Sequence, residues 1–233
     1  MRVVALIPAY NEAESILATL TAVASLQPLE EIVVINDGSR DGTGAIIKQT
    51  TIKGPKITLV DLAKNGGKGA ALNRGWQATP ADVYLLVDGD LAHTASLAQR
   101  LLDPVVLGEA DMTIARFGSQ QSGDSVGMGF GLVRRTASLG VRILTGKQIT
   151  SPLSGQRAIT AEVLRTLGPF FEGFGVEIGL TVGALHHGFR VVEVPVNMQH
   201  RAYGRGLKGI FHRGRQFVHV LQALWRCRQR GWY

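Results

Sequence analysis

Cysteine is almost missing from this chain, aromatic residues are sparse, and no long apolar run occurs. The single cysteine, Cys227, rules out a disulfide within the chain. No stretch reaches the roughly 18–20 apolar residues that a helical membrane span needs. The opening MRVVALI gives way at once to Pro8 and polar residues, too short for a secretory leader. A cytoplasmic location is therefore expected. Aromatics make up 6% of the 233 residues and are not interleaved with the basic ones in the strand-forming half, which argues against nucleic acid as partner.

Acid is missing from one region only. After Glu193 there is no Asp or Glu, while Arg201, Arg205, Lys208, Arg213, Arg215, Arg226, Arg228 and Arg230 follow. The other 17 basic residues nearly balance the 18 acids, so the C-terminal segment carries the whole net charge of +7. Such a concentration suits an anionic partner, or forms a solvated basic tail.

What is present is alternation. RVVALI (2–7), EIVVIN (31–36), KITLV (56–60) and VYLLV (83–87) read as buried strands. Between them, residues 12–26, 41–50 and 68–78 have helical spacing. This order argues for βαβ units and a mostly parallel sheet covered on both faces. Further on, 130–146, 161–167 and 176–188 read as helices and 189–196 as a last strand. FGSQQSGDSVGMG (117–129) reads as a loop. From Leu207, apolar residues recur at helical spacing opposite Arg and Lys, which describes a basic amphipathic helix.

Each early strand ends on a polar motif: PAYNE (8–12), NDGSRDGT (36–43), KNGGKG (64–69) and DGD (88–90). Open sheets of this type bind ligands beyond the carboxyl ends of their strands, so the motifs converge on one place. Asp88 and Asp90 cannot both ionise cheaply without a cation. Carboxylate and phosphate oxygens together favour Mg²⁺ or Mn²⁺, which points to a nucleoside diphosphate as co-ligand. Gly89 between them would let the backbone approach closely.

PAYNE, NDGSRDGT, NGGKGAAL and VDGD together resemble the motifs of family 2 glycosyltransferases of the GT-A fold. DGDLAH, SGQR and GFRVVEVPV are similar to the dolichol- and polyprenyl-phosphate sugar transferase branch. The resemblance spans about residues 2–205. It implies a Rossmann-like three-layer α/β/α sandwich over 1–205, with the C-terminal amphipathic helix (206–233) appended. It implies a metal-dependent, inverting transfer of a sugar from a UDP- or GDP-linked donor. Pro8, Ala9, Tyr10, Glu12, Asp37, Gly38, Lys68, Asp88, Gly89 and Asp90 would form the nucleotide-sugar pocket, with Asp37 accepting from the base and Lys68 near the diphosphate. Asp88, Asp90 and His200 would hold the ion, and Arg201 and Arg205 would clamp the departing diphosphate. The branch commonly carries Gln where this chain has Ala92, a position near the metal, and His93 is a second candidate to compensate.

For the acceptor, the resemblance puts Arg116, Arg134 and Ser138 around a phosphate, and Arg forks suit phosphate by shape and permanent charge. A phosphate needs no general base, whereas a hydroxyl would need one. Glu177 is the candidate, with Asp111 behind it. A lipid-phosphate acceptor fits the basic helix, with Trp225, Trp232 and Tyr233 at the inner face of a membrane, although the same stripe would serve the protein's own core or a homodimer. Two rivals remain: a nucleotidyltransferase, which would be expected to carry a Gly-rich basic loop after the first strand, and a non-enzymatic membrane-binding module, which would not need the paired acids.

Overall fold

The computed structural model of the protein describes residues 1–117, 130–199 and 207–232. In chain order the elements are β1 (Val3–Ala9), α1 (Ile16–Ala24), β2 (Leu29–Asn36), α2 (Thr43–Gln49), β3 (Lys56–Asp61), α3 (Lys68–Ala78) and β4 (Val83–Leu86). A 3₁₀ segment (Ala92–Ala98) then leads into α4 (Gln99–Val106), β5 (Met112–Phe117) and α5 (Phe130–Thr145). The chain closes with β6 (Arg157–Thr160), α6 (Ala161–Leu167), α7 (Val176–His186), β7 (Val191–Val196) and α8 (Leu207–Gln229).

The strands form one seven-stranded sheet in the order β3-β2-β1-β4-β6-β5-β7. β1 pairs in parallel with both β2 and β4, and β5 in parallel with β7. β6 alone runs backwards, antiparallel to β4 and β5. Its start therefore lies at the rim where its neighbours end: Leu86 and Ile114 both pair with Arg157.

Successive strand residues face opposite sides, so a strand apolar at every position is buried twice. Val4, Leu6, Val33, Ile35, Tyr84 and Leu86 join one core, with residues of α3, α5, α7 and α8. Val3, Ala5, Ile7, Ile32, Val34, Val83 and Leu85 join the other, under α1 and α4. The three-layer sandwich expected from the alternation is the observed fold. β5, β6 and α4 were not anticipated. β6 is four residues long and opens on a buried arginine, so it carries no strand-like signal. The expected helix at 12–26 begins only at Ile16, because Asn11 sits at φ +58° and the next residues form a turn.

α8 is part of the body. Val220, Ala223 and Cys227 are buried in the first core, with Phe217 and Leu224 packed against it. The expectation for Trp232 at a membrane interface is overturned. It is 7% exposed and stacks on Phe171, ring centroids 6.0 Å apart, with the Arg230 guanidinium 4.6 Å from the Phe171 ring. Aromatic stacking capped by a cation favours this inward turn over exposure. Trp225 is the residue left outside, 61% exposed.

α5 and α8 meet where Gly140 faces Leu224. A Cβ on Gly140 would stand 2.3 Å from Leu224 Cδ1. G140A should therefore force repacking and cost about 1–3 kcal/mol in urea unfolding. Unchanged stability would mean that the two helices do not pack this way.

Candidate active site

The loops after β1 and β2 are laced together. Asn11 N–H donates to Ser39 Oγ (3.0 Å), and Arg40 N–H donates to Asn11 Oδ1 (2.8 Å). Glu12 N–H donates to Thr43 Oγ1 (2.9 Å) and Ala13 N–H to Asp41 Oδ2 (3.0 Å). Burial pushes the Asp41 carboxyl up, but the hydrogen bonds from Thr43 and the Ala13 amide outweigh it and hold it below the usual range. These bonds fix the backbone of PAYNE against NDGSRDGT. Within the pair of loops Tyr10 is exposed and Pro8 half-buried, while Ala9 and Glu12 are buried, with Glu12 Oε2 accepting from Ser15 Oγ (2.9 Å).

Asp37 has a structural task. Its two carboxylate oxygens accept the Gly66 and Gly67 amides, both at 2.8 Å, and so hold the glycine loop in front of α3. A base would have to use its remaining lone pairs. Gly38 (φ +70°) leans on this loop, where a Cβ would sit 2.7 Å from Asn65 N. Gly69, in the first turn of α3, lies against the Phe171 carbonyl, which a Cβ would approach to 2.0 Å.

That turn delivers Lys68. Its Nζ lies 2.7 Å from Asp88 Oδ1, just beyond β4, and 3.0 Å from Glu177 Oε1 in the first turn of α7. Burial works against the ammonium, but the two carboxylates more than offset it and raise its pKa above the ordinary lysine range. Gln156 completes the cluster by donating from Nε2 to Asp88 Oδ2 (2.6 Å). A cation for Asp88 is thus built into the chain. Gly155 makes this possible, since a Cβ there would stand 2.2 Å from Lys68 Nζ and 2.9 Å from Asp88 Oδ2.

Gly89 is buried between the two acids. A Cβ there would meet Ala9, Glu12 and Ile16 at 3.4–3.5 Å, ordinary contact distances. Its carbonyl accepts from Thr19 Oγ1 (2.9 Å) and Ser15 Oγ (3.1 Å), which anchors the turn carrying Asp90. The structure thus brings Asp88, Lys68 and Glu177 into contact, with half-buried Asp90 two residues beyond. Arg116 ends β5 at the same rim, exposed, and Arg134 is exposed on α5. Ser138 gives its one O–H to the Ile149 carbonyl and has none left for a phosphate. Asp111 is excluded as a base. It precedes β5 at the opposite rim and is ion-paired with Arg190 at 2.8 Å. His93 is exposed in the 3₁₀ segment. His200, Arg201, Arg205 and Tyr233 lie outside the described residues.

Among the described residues no group of three His, Cys, Asp or Glu is placed to hold a metal ion. The donor chemistry of Asp88 and Asp90 nevertheless fits a hard divalent ion that draws its other ligands from phosphate and water. Gln156 and Gly155 were not anticipated as site residues. Both lie in SGQR, a motif that carried only a resemblance, and neither has a charge to mark it.

With this rim and its polar loops, the chain belongs to a known class. The family model "Glycosyl transferase family 2" matches residues 4–144, and the protein is a glycosyltransferase of that family. The undecaprenyl-phosphate mannosyltransferase of Micrococcus luteus is 29% identical over 88% of this chain and 86% of that protein. The polyprenol monophosphomannose synthase of Mycolicibacterium smegmatis is 31% identical over 87% of this chain and 79% of its own length. The crystal structure of glucosyl-3-phosphoglycerate synthase from Mycobacterium tuberculosis with Mg²⁺ and UDP superposes with a TM-score of 0.75. It is 26% identical, covering 96% of this chain and 79% of that one. The sandwich is thus the GT-A fold.

G155A tests the cluster directly. Its Cβ should displace the Lys68 ammonium while leaving both cores untouched, so far-UV dichroism stays native. Loss of the ammonium should lower affinity for UDP or GDP, whichever binds the unaltered chain, at least tenfold by titration calorimetry with Mn²⁺. Native affinity would show that the Lys68–Asp88 contact plays no part in binding.

Proposed function

We propose that the protein transfers a sugar, with inversion, from a UDP- or GDP-linked donor to a polyprenyl phosphate or a similar phosphorylated acceptor. The observation that carries this reading is the Lys68–Asp88–Glu177 cluster at the carboxyl rim, where polar loops from β1, β2, β3 and β4 converge. A bound Mg²⁺ or Mn²⁺ would be held by Asp88 and Asp90, with His200 as a further ligand, and would neutralise charge on the diphosphate. Lys68 faces the same charge from the start of α3, where the helix also favours anions. Pro8, Tyr10 and the Asp37–Gly38 turn line the nucleotide side. Asp88 orients the donor sugar, and Arg201 and Arg205 hold the diphosphate as it departs.

In the transfer, an acceptor oxygen forms its bond to the anomeric carbon as the bond to the diphosphate breaks on the opposite face. Glu177 does not serve as base in this scheme, because its carboxylate is engaged by the Lys68 ammonium. An acceptor phosphate is already ionised near neutral pH and needs none. Arg116 and Arg134 are the exposed guanidinium groups suited to hold it.

A lipid acceptor would bring the enzyme to the inner face of a membrane. Among the described residues no helix is long and apolar enough to cross one. The packed helices α5 and α8 instead expose Leu132, Leu139, Ile143, Val218, Leu221 and Trp225. Arg134, Arg135, Arg142, Arg226 and Arg228 are exposed on the same two helices, neither of which contains an acidic residue. Apolar side chains ringed by arginine suit an anionic lipid surface. A twin subunit meeting this face through a two-fold axis would set arginine against arginine.

Three measurements test the proposal. UDP or GDP should raise the melting temperature far more with Mn²⁺ than with chelator, and D90A should abolish turnover while melting like the native chain. Equal shifts with and without the ion would refute metal dependence, and a fully active D90A would refute the assignment of the site. On the lipid side, the protein should sediment with vesicles containing anionic lipid, and I143S/W225S should reduce the bound fraction at least fivefold. Equal sedimentation of that variant would move the contact elsewhere.

A further inference from the structure

Arg157 is fully buried at the start of β6, between β4 and β5. Its Nε donates to the Ser154 carbonyl (2.9 Å) and its Nη2 to the Pro152 carbonyl (3.0 Å). Its Nη1 donates to Thr181 Oγ1 (2.9 Å) and lies 3.8 Å from Met112 sulfur. Among the described residues no carboxylate forms an ion pair with it. Burial pulls its pKa down to about 10, against the more distant pull of Glu177 and Glu193. Burying a guanidinium without a paired acid is costly, and an apolar side chain of similar volume would often be as stable or more so. Stability alone does not account for an arginine here.

Its geometry does. The two carbonyls it grips belong to the segment just before Gly155 and Gln156, the first leaving room for the Lys68 ammonium and the second donating to Asp88. Thr181, its third partner, donates in turn to the Glu177 carbonyl (2.7 Å) on α7. One guanidinium thus ties together the two walls that face Lys68. The outer end of the same segment is held by Glu193, whose carboxylate accepts from the Thr150 amide (3.0 Å) and the Ser151 amide (2.6 Å). The stretch 150–156 is pinned by an acid on one side and by the buried arginine on the other.

We propose that Arg157 is a positioning residue: it never touches the donor, but it sets Gln156 against Asp88 and Glu177 against Lys68. The inference rests on the reading of that cluster as part of the donor site. Arg157 has no exposed surface, so any effect of its replacement on ligand binding must travel through these contacts.

The test compares R157M, R157K, Q156A and R157M/Q156A. The probe is UDP or GDP with Mn²⁺, whichever binds the unaltered chain. R157M should unfold in urea at or above the native midpoint, yet bind the nucleotide at least tenfold more weakly. Q156A should show part or all of that loss, and the double variant should be no weaker than R157M alone, since Gln156 acts on Asp88 only from the place that Arg157 sets. Penalties that multiply, or native affinity in R157M, would overturn the inference. Should R157M fail to fold, R157K keeps the charge without the fork and should show the same loss in affinity; native binding by R157K would then overturn it. Hydrogen exchange gives a readout independent of any ligand. Amides from Ser154 to Gln156 should exchange at least tenfold faster in R157M or R157K while those of β1 to β3 stay protected, and unchanged exchange would refute the positioning role. If neither nucleotide binds the unaltered chain, the donor-site reading fails by itself and the exchange result still decides whether Arg157 positions the cluster.

Discussion

The rim of this protein is organised by one ammonium group. Lys68 lies between Asp88 and Glu177, which arrive from β4 and α7 and would otherwise repel across a partly desolvated gap. Much of the surrounding sequence makes room for that contact. Gly67 and Gly69 allow the tight entry into α3, Asp37 ties down the amides in front of it, and Gly155 leaves space for the ammonium itself. The cluster is also why two acids can close a strand in DGD. Asp88 has the Lys68 ammonium as a partner supplied by the chain itself.

The fold explains how residues so distant in sequence meet. Parallel strands deliver their loops to one rim, and the lacing between the first two loops uses side chains of Asn11, Ser39, Asp41 and Thr43, all within motifs that look like ordinary turns. The lacing holds Tyr10 exposed beside a rigid backbone. Family membership and fold follow from the match over residues 4–144 and from the superposition on a UDP-bound relative.

The early half of the chain was legible because its strands are apolar at nearly every position and each ends on polar residues; periodicity of that strength survives tertiary context. Lys68 and Glu177 could be singled out as charges at helix starts, but not the bond between them, since 109 positions separate them and no local pattern records a long-range ion pair. Gln156 and Arg157 stayed hidden for opposite reasons. The first is neutral and looks like surface; the second is charged and should not be buried at all. Trp232 was misplaced because an amphipathic pattern says which residues share a stripe and not which stripe faces inward. Gly155 could not be singled out, because the neighbours that require a glycine there come from other loops and become visible only in three dimensions.

The reversed strand β6 has an architectural effect of its own. In a purely parallel sheet only the segments that leave strands reach the functional rim, and those that enter them reach the far side. One strand inserted against the grain lets an incoming segment reach the functional side as well. Changes in that incoming segment can therefore reshape the surroundings of Lys68 and Asp88 without altering any of the outgoing loops laced together beside them.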